Sequence, residues 1–114
     1  MKKLFILNAV TIPDCNSQAN GVIEYIRLTP QEAAILIKKN DKEIVSAVGH
    51  DSTLKLLNGM WGTDLQLDRS KVSLSIGDSA LCLELNSRPD TGRKLLMSDI
   101  ISIGYSFMLI NRLK

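Results

Sequence analysis

A single histidine, His50, stands in the string Gly49-His50-Asp51-Ser52-Thr53. An imidazole gives or takes a proton near neutral pH, which suits it to acid–base work. Behind it, Leu54, Leu57 and Met60 recur at three-residue spacing with Leu56 beside them, as one buried helix face requires. Asp51, Ser52 and Thr53 each suit a helix N-terminus, where a side-chain oxygen accepts an unpaired backbone N–H. Free N–H groups at such an end also favour a bound anion. The string places a titratable ring where phosphate would bind.

Competing chemistries have little support in the residues. One histidine and two widely separated cysteines, Cys15 and Cys82, make a poor zinc site. Glycine-rich nucleotide-binding motifs and a nucleophile elbow are missing. What remains is a phosphate reaction needing neither metal nor cofactor. RNA carries its own nucleophile, the 2′-hydroxyl, so a protein can cleave it by aligning that oxygen with phosphorus and stabilising the developing charge. In this reading His50 is the general acid to the departing 5′-oxygen, and Ser52 and the local backbone hold phosphate. Arg69 and Arg88 are candidate phosphate clamps. Asn8 either finds hydrogen-bond partners inside the fold or holds a ligand at a strand end. Taken singly, each arginine also fits a solvated surface charge, and Asp51 fits a local cap better than a general base. On residue chemistry alone, a small α/β protein with an anion site is the plainer reading.

Composition bounds the elements that must position these groups. At 114 residues, with 45% hydrophobic and 23% charged content, the chain reads as one folded domain over residues 1–114. A homodimer is one way for so small a domain to cover more surface. The formal charge of +2 falls short of a duplex-binding footprint. Met1-Lys2-Lys3 before Leu4-Phe5-Ile6-Leu7 resembles a signal peptide only until Asn8 interrupts the run, and no membrane-spanning length follows. The expectation is a soluble, cytoplasmic protein with reduced cysteines.

The pattern along the chain predicts a first strand over Lys3 to Val10, then a polar loop from Thr11 to Gly21. A second strand covers Val22 to Thr29. Thr29-Pro30-Gln31-Glu32 has the form of a capping box, opening a helix that runs to Lys38-Lys39. Asn40 to Val48 fits either a short helical turn or a strand. The His50 helix follows and ends around Gly59 to Thr63, with Trp61 packing more often than lining a pocket. From Lys71 the period becomes two, and Val72, Leu74 and Ile76 followed by Gly77-Asp78-Ser79 predict a hairpin with residues 80–85. Ala80, Cys82 and Glu84 form its outward set. Leu95, Leu96 and Met97 re-enter the core, Ser98-Asp99 cap a short helix, and Tyr105 to Leu113 is the last strand. The whole is a compact α/β domain with a mixed β-sheet flanked by helices.

The Gly49-His50-Asp51-Ser52-Thr53 segment with Leu54, Leu56, Leu57 and Asn58, the early Leu7-Asn8-Ala9, Arg69 and the Arg88 loop together resemble the viral ring nucleases, a type III CRISPR-evasion family. The resemblance extends over nearly the whole chain. It implies a small α/β homodimer that binds cyclic tetra-adenylate across its two-fold interface and cleaves it without a metal. It carries the catalytic histidine to His50 and a neighbouring binding position to Ser52. Asn8, Arg69 and Arg88 fall at ligand contacts, and the loop from Thr11 would cover the ring. Family members can carry a glutamate before the glycine matching Gly92. Here Arg88-Pro89-Asp90-Thr91-Gly92 has none. Either Asp90 substitutes as a catalytic carboxylate, or the site relies on His50 and substrate alignment. Glu84 sits where ligand would approach, although a carboxylate beside phosphate opposes binding. Two other classes stay open: a noncatalytic cyclic-oligonucleotide sponge and a dimeric protein-interaction module.

Overall fold

The computed structural model describes residues 2–11, 21–69, 71–87 and 96–114. Their order is β1 (Lys3–Leu7), β2 (Ile23–Leu28), α1 (Pro30–Lys39), β3 (Glu43–Ala47), α2 (Asp51–Trp61), β4 (Ser79–Leu85), α3 (Met97–Ile103) and β5 (Tyr105–Arg112). The strands form one mixed sheet in the order β2-β5-β4-β1-β3. β1 lies parallel to both β3 and β4, while β5 runs antiparallel to β4 and β2. The described residues form a single compact α/β domain whose mixed sheet is flanked by three helices.

Strand alternation sorts the core into two clusters. Leu4 and Ile6 of β1, Leu81 and Leu83 of β4 and Phe107 of β5 meet Ala33 of α1, Leu54, Leu56 and Leu57 of α2 and Ile100 of α3. The other face gathers Ala80, Cys82 and Ile110 around Leu74, with Phe5, Leu7 and Met108 against them. β5 divides as its sequence alternation requires: Tyr105, Phe107 and Leu109 join the helix-side cluster, Met108 and Ile110 the other.

Thr29 caps α1 as its sequence predicts. Its hydroxyl accepts from the Glu32 backbone N–H at 3.1 Å, and the Glu32 carboxylate accepts from the Thr29 N–H at 3.0 Å. The ambiguous stretch before His50 is a strand, β3, because it completes a parallel edge against β1 with Leu7 opposite Ala47. α2 runs through Gly59 and stops at Gly62, whose left-handed φ of 65° suits a residue without a Cβ.

Several expectations do not hold. The hairpin is not formed: residues 71–78 supply no strand, and β4 pairs with β1 and β5. The alternation of Val72, Leu74 and Ile76 is real, but Val72 and Leu74 cover the second face of the sheet instead. Ala80 and Cys82 are consequently buried rather than outward. β1 ends at Leu7, not Val10, and β5 at Arg112. Leu96 and Met97 are exposed rather than in the core. α3 is opened by Leu96, whose backbone N–H donates to the Asp99 carboxylate at 2.8 Å. The predicted Leu95 contact lies outside the described residues. Trp61 packs on Phe107, with ring centroids 5.6 Å apart.

Candidate functional site

Because β1, β3 and β4 are parallel, their C-terminal ends lie along one border of the sheet, where open α/β sheets place ligands. Asn8 follows β1 directly. Gly49 and His50 link β3 to α2, with His50 at the N-cap. Arg69 arrives by a longer route. Asn58 of α2 organises the turn after the helix: its Oδ1 accepts from the Leu65 N–H and the Thr63 hydroxyl, both at 2.8 Å, and its Nδ2 donates to the Leu65 carbonyl at 3.0 Å. The chain then runs back along β3. The Ser46 hydroxyl donates to the Gln66 carbonyl at 2.6 Å, and the Asp68 N–H donates to the Val48 carbonyl at 3.0 Å. The next residue is Arg69.

Asn8 and Arg69 converge on Gly49. The Asn8 Oδ1 accepts from the Gly49 N–H at 3.0 Å, and the Arg69 Nε donates to the Gly49 carbonyl at 3.0 Å. Together with Ala47 and His50 they line an open depression of about 300 Å³. His50 is exposed and itself occupies the N-cap without a side-chain capping bond, so Asp51, Ser52 and Thr53 lie inside the helix rather than at the cap expected of them. The first intrahelical bond runs from the Leu54 N–H to the His50 carbonyl at 3.0 Å. An exposed ring beside a guanidinium at a helix N-terminus can offer a proton and a cationic wall to an anion.

A second depression, about 470 Å³, shares Asn8 as a wall and is lined by Val10, Leu83, Glu84, Leu85, Asn86 and Ser87 among others. Glu84 is here ion-paired with Arg27 of β2. The pair lies 57 residues apart in sequence, and no local signal indicated Arg27. An opposite charge offsets the repulsion that a lone carboxylate would present to phosphate.

The remaining predicted residues are less central. Ser52 is half-buried in the first turn of α2 and does not line the His50 depression. Asp51 pairs with Lys55 at 3.2 Å, one turn along the exposed surface. Thr11 is exposed, and its backbone hydrogen-bonds the Cys82 thiol on the face opposite the helices. Burial pushes that thiol up to about 12, partly offset by the Thr11 contact, so Cys82 stays protonated and unreactive. Arg88 and Asp90 lie outside the described residues. Among the described residues no group of three or more His, Cys, Asp or Glu side chains could hold a metal ion. No described helix is long and apolar enough to cross a membrane.

Residues 4–107 match the STIV B116-like family. The chain belongs to that family. Its relatives include the uncharacterized protein ORF117 of Acidianus two-tailed virus, 27% identical over 97% of this chain and 94% of that protein. Uncharacterized protein 26 of Sulfolobus islandicus filamentous virus is 31% identical, over 93% and 88%. The fold matches B116 of Sulfolobus turreted icosahedral virus with a TM-score of 0.72 and 28% identity, covering 96% of this chain and 98% of that one. This STIV B116-like chain is thus a member of a viral protein family, with His50, Asn8 and Arg69 assembled at one sheet border.

Proposed function

We propose that this STIV B116-like protein is a metal-independent ring nuclease, cleaving cyclic tetra-adenylate as a homodimer and so ending type III CRISPR signalling. The observation that carries the reading is the meeting of Asn8, His50 and Arg69 around one open depression at the N-terminus of α2. Its membership of a viral family suits a role in evading host defence. The second depression, joined to the first at Asn8, has the apolar wall of Val10, Leu83 and Leu85 on which a base can lie.

In this mechanism the ring's own 2′-oxygen attacks phosphorus. The 2′-O–P bond forms, the P–5′-O bond breaks, and His50 delivers its proton to the departing 5′-oxygen. The 2′-hydroxyl proton passes to solvent, and the product carries a 2′,3′-cyclic phosphate. Arg69 and the α2 N-terminus stabilise the charge gathering on the phosphoryl oxygens. A two-fold dimer would present two equivalent His50 sites to a ring of compatible symmetry. Arg88 and Asp90 are retained as the candidate second clamp and carboxylate.

The test is incubation in EDTA with cyclic tri-, tetra- and hexa-adenylate, with products resolved by mass spectrometry. His50→Ala, checked for folding and mass in solution, runs in parallel. Cleavage of the tetra-adenylate ring is expected, falling about 10²- to 10⁴-fold in the variant. Equal activity in His50→Ala removes the histidine from the mechanism. Tight binding without turnover makes the protein a sponge. Neither binding nor cleavage leaves a protein-interaction module.

A further inference from the structure

We infer that Asn8 is a positioning residue for His50, acting through its amide oxygen on the Gly49 backbone. The inference rests on the ring-nuclease reading for its catalytic consequence, and on the fold alone for its physical basis.

Gly49 immediately precedes His50, and a glycine at that point is the joint with the most backbone freedom. The structure removes that freedom from both sides. The Gly49 N–H, which belongs to the peptide joining Val48 to Gly49, donates to Asn8 Oδ1 at 3.0 Å. The Gly49 carbonyl, which belongs to the peptide joining Gly49 to His50, accepts from Arg69 Nε at 3.0 Å. The neighbouring carbonyls are held as well, Val48 by the Asp68 N–H and His50 by the Leu54 N–H, each at 3.0 Å. Every peptide plane leading into His50 is therefore anchored, while the imidazole itself stays exposed and makes no capping bond. Only the ring's two side-chain torsions remain to be set.

Asn8 reaches this joint from the end of β1, a different element from the one carrying His50. β1 is hydrogen-bonded to β3 and β4 on its two sides. The amide oxygen thus ties the joint before His50 to the end of a strand that is paired on both sides, and a small misplacement of a reacting group costs rate more than binding.

The two ends of the amide separate this role from direct ligand contact. Asn8→Asp keeps an acceptor oxygen for the Gly49 N–H but loses the NH₂ group. Asn8→Ala loses both. The positioning role predicts kcat reduced about 10- to 100-fold in Asn8→Ala with KM little changed. In Asn8→Asp, kcat stays within about threefold of the parent while KM rises from the added negative charge. Amide hydrogen exchange at Gly49, followed by NMR without any ligand, is the second readout. It should accelerate roughly fivefold or more in Asn8→Ala and remain protected in Asn8→Asp. Unchanged Gly49 exchange in Asn8→Ala, or raised KM with parental kcat in both variants, would overturn the inference. A parent protein that shows the exchange pattern yet cleaves no ring would defeat the proposed activity and leave the anchoring intact.

Discussion

Gly49→Ala offers a sharp perturbation of the site because its cost can be worked out atom by atom. Gly49 is not one of the positive-φ glycines, so alanine meets no backbone strain there. The added Cβ would land 3.0 Å from Arg69 Cγ and 3.8 Å from Cδ and Nε. Carbon atoms settle near 3.5 Å, so the Arg69 stem must retreat by about 0.5 Å. A similar retreat carries Nε from its 3.0 Å bond to the edge of hydrogen-bonding range. Losing that exposed bond costs about 0.5–1.5 kcal/mol, and the stiffer unfolded chain returns about 0.4–1 kcal/mol. The melting temperature should therefore move by no more than about 5 °C. Activity should fall further than stability, about tenfold in kcat for ring cleavage, because the freed peptide is the one that carries His50. Thermal unfolding and steady-state kinetics on the same preparation make the comparison. Parental kcat would refute the steering of His50 by this contact. A melting point lowered by more than about 10 °C would show instead that the position is needed for the fold.

Two further predictions concern stability. Thr29→Ala removes the capping box of α1 and should cost about 1 kcal/mol, lowering the melting temperature by roughly 4 °C. The Glu32 carboxyl is held below its usual value, first by the Thr29 backbone N–H and then by the Thr29 side chain, so this contribution is present above pH 4.5 and is lost as pH falls. Thr29→Ala keeps the backbone N–H and loses only the side-chain cause, so the acid limb of its denaturation curve should become only slightly less steep. Cys82, raised to about 12 from 9.0, binds its proton more tightly folded than unfolded, so stability should decline as pH rises from about 9 toward 12. Peptide-resolved alkylation at pH 8 should leave Cys82 unmodified in the native protein and modify it in denaturant; labelling of the native thiol would show that the sheet face opens.

Much of the fold was decided locally. The capping box at Thr29, the apolar face of Leu54, Leu56 and Leu57, and the alternation of Tyr105 to Arg112 each follow from interactions within a few residues. Such patterns are legible because the helix and strand periods are properties of the backbone itself. His50 stood out for the same kind of reason, as the one titratable ring at a helix start. Tertiary structure decided the rest. Periodicity at Val72, Leu74 and Ile76 states that one side is buried, but not whether a neighbouring strand or the face of the sheet buries it. Within Asn40 to Val48, the five residues Glu43–Ala47 became a strand because β1 offered a parallel edge. From sequence Asn8 fits either an internally hydrogen-bonded amide or a ligand group, and Glu84 sits where ligand would approach; in the fold the Asn8 Oδ1 accepts from the Gly49 N–H, 41 residues away, and Glu84 pairs with Arg27, 57 residues away. Hydrogen bonds and ion pairs at that separation depend on which elements the topology makes neighbours, and no spacing within the chain encodes them.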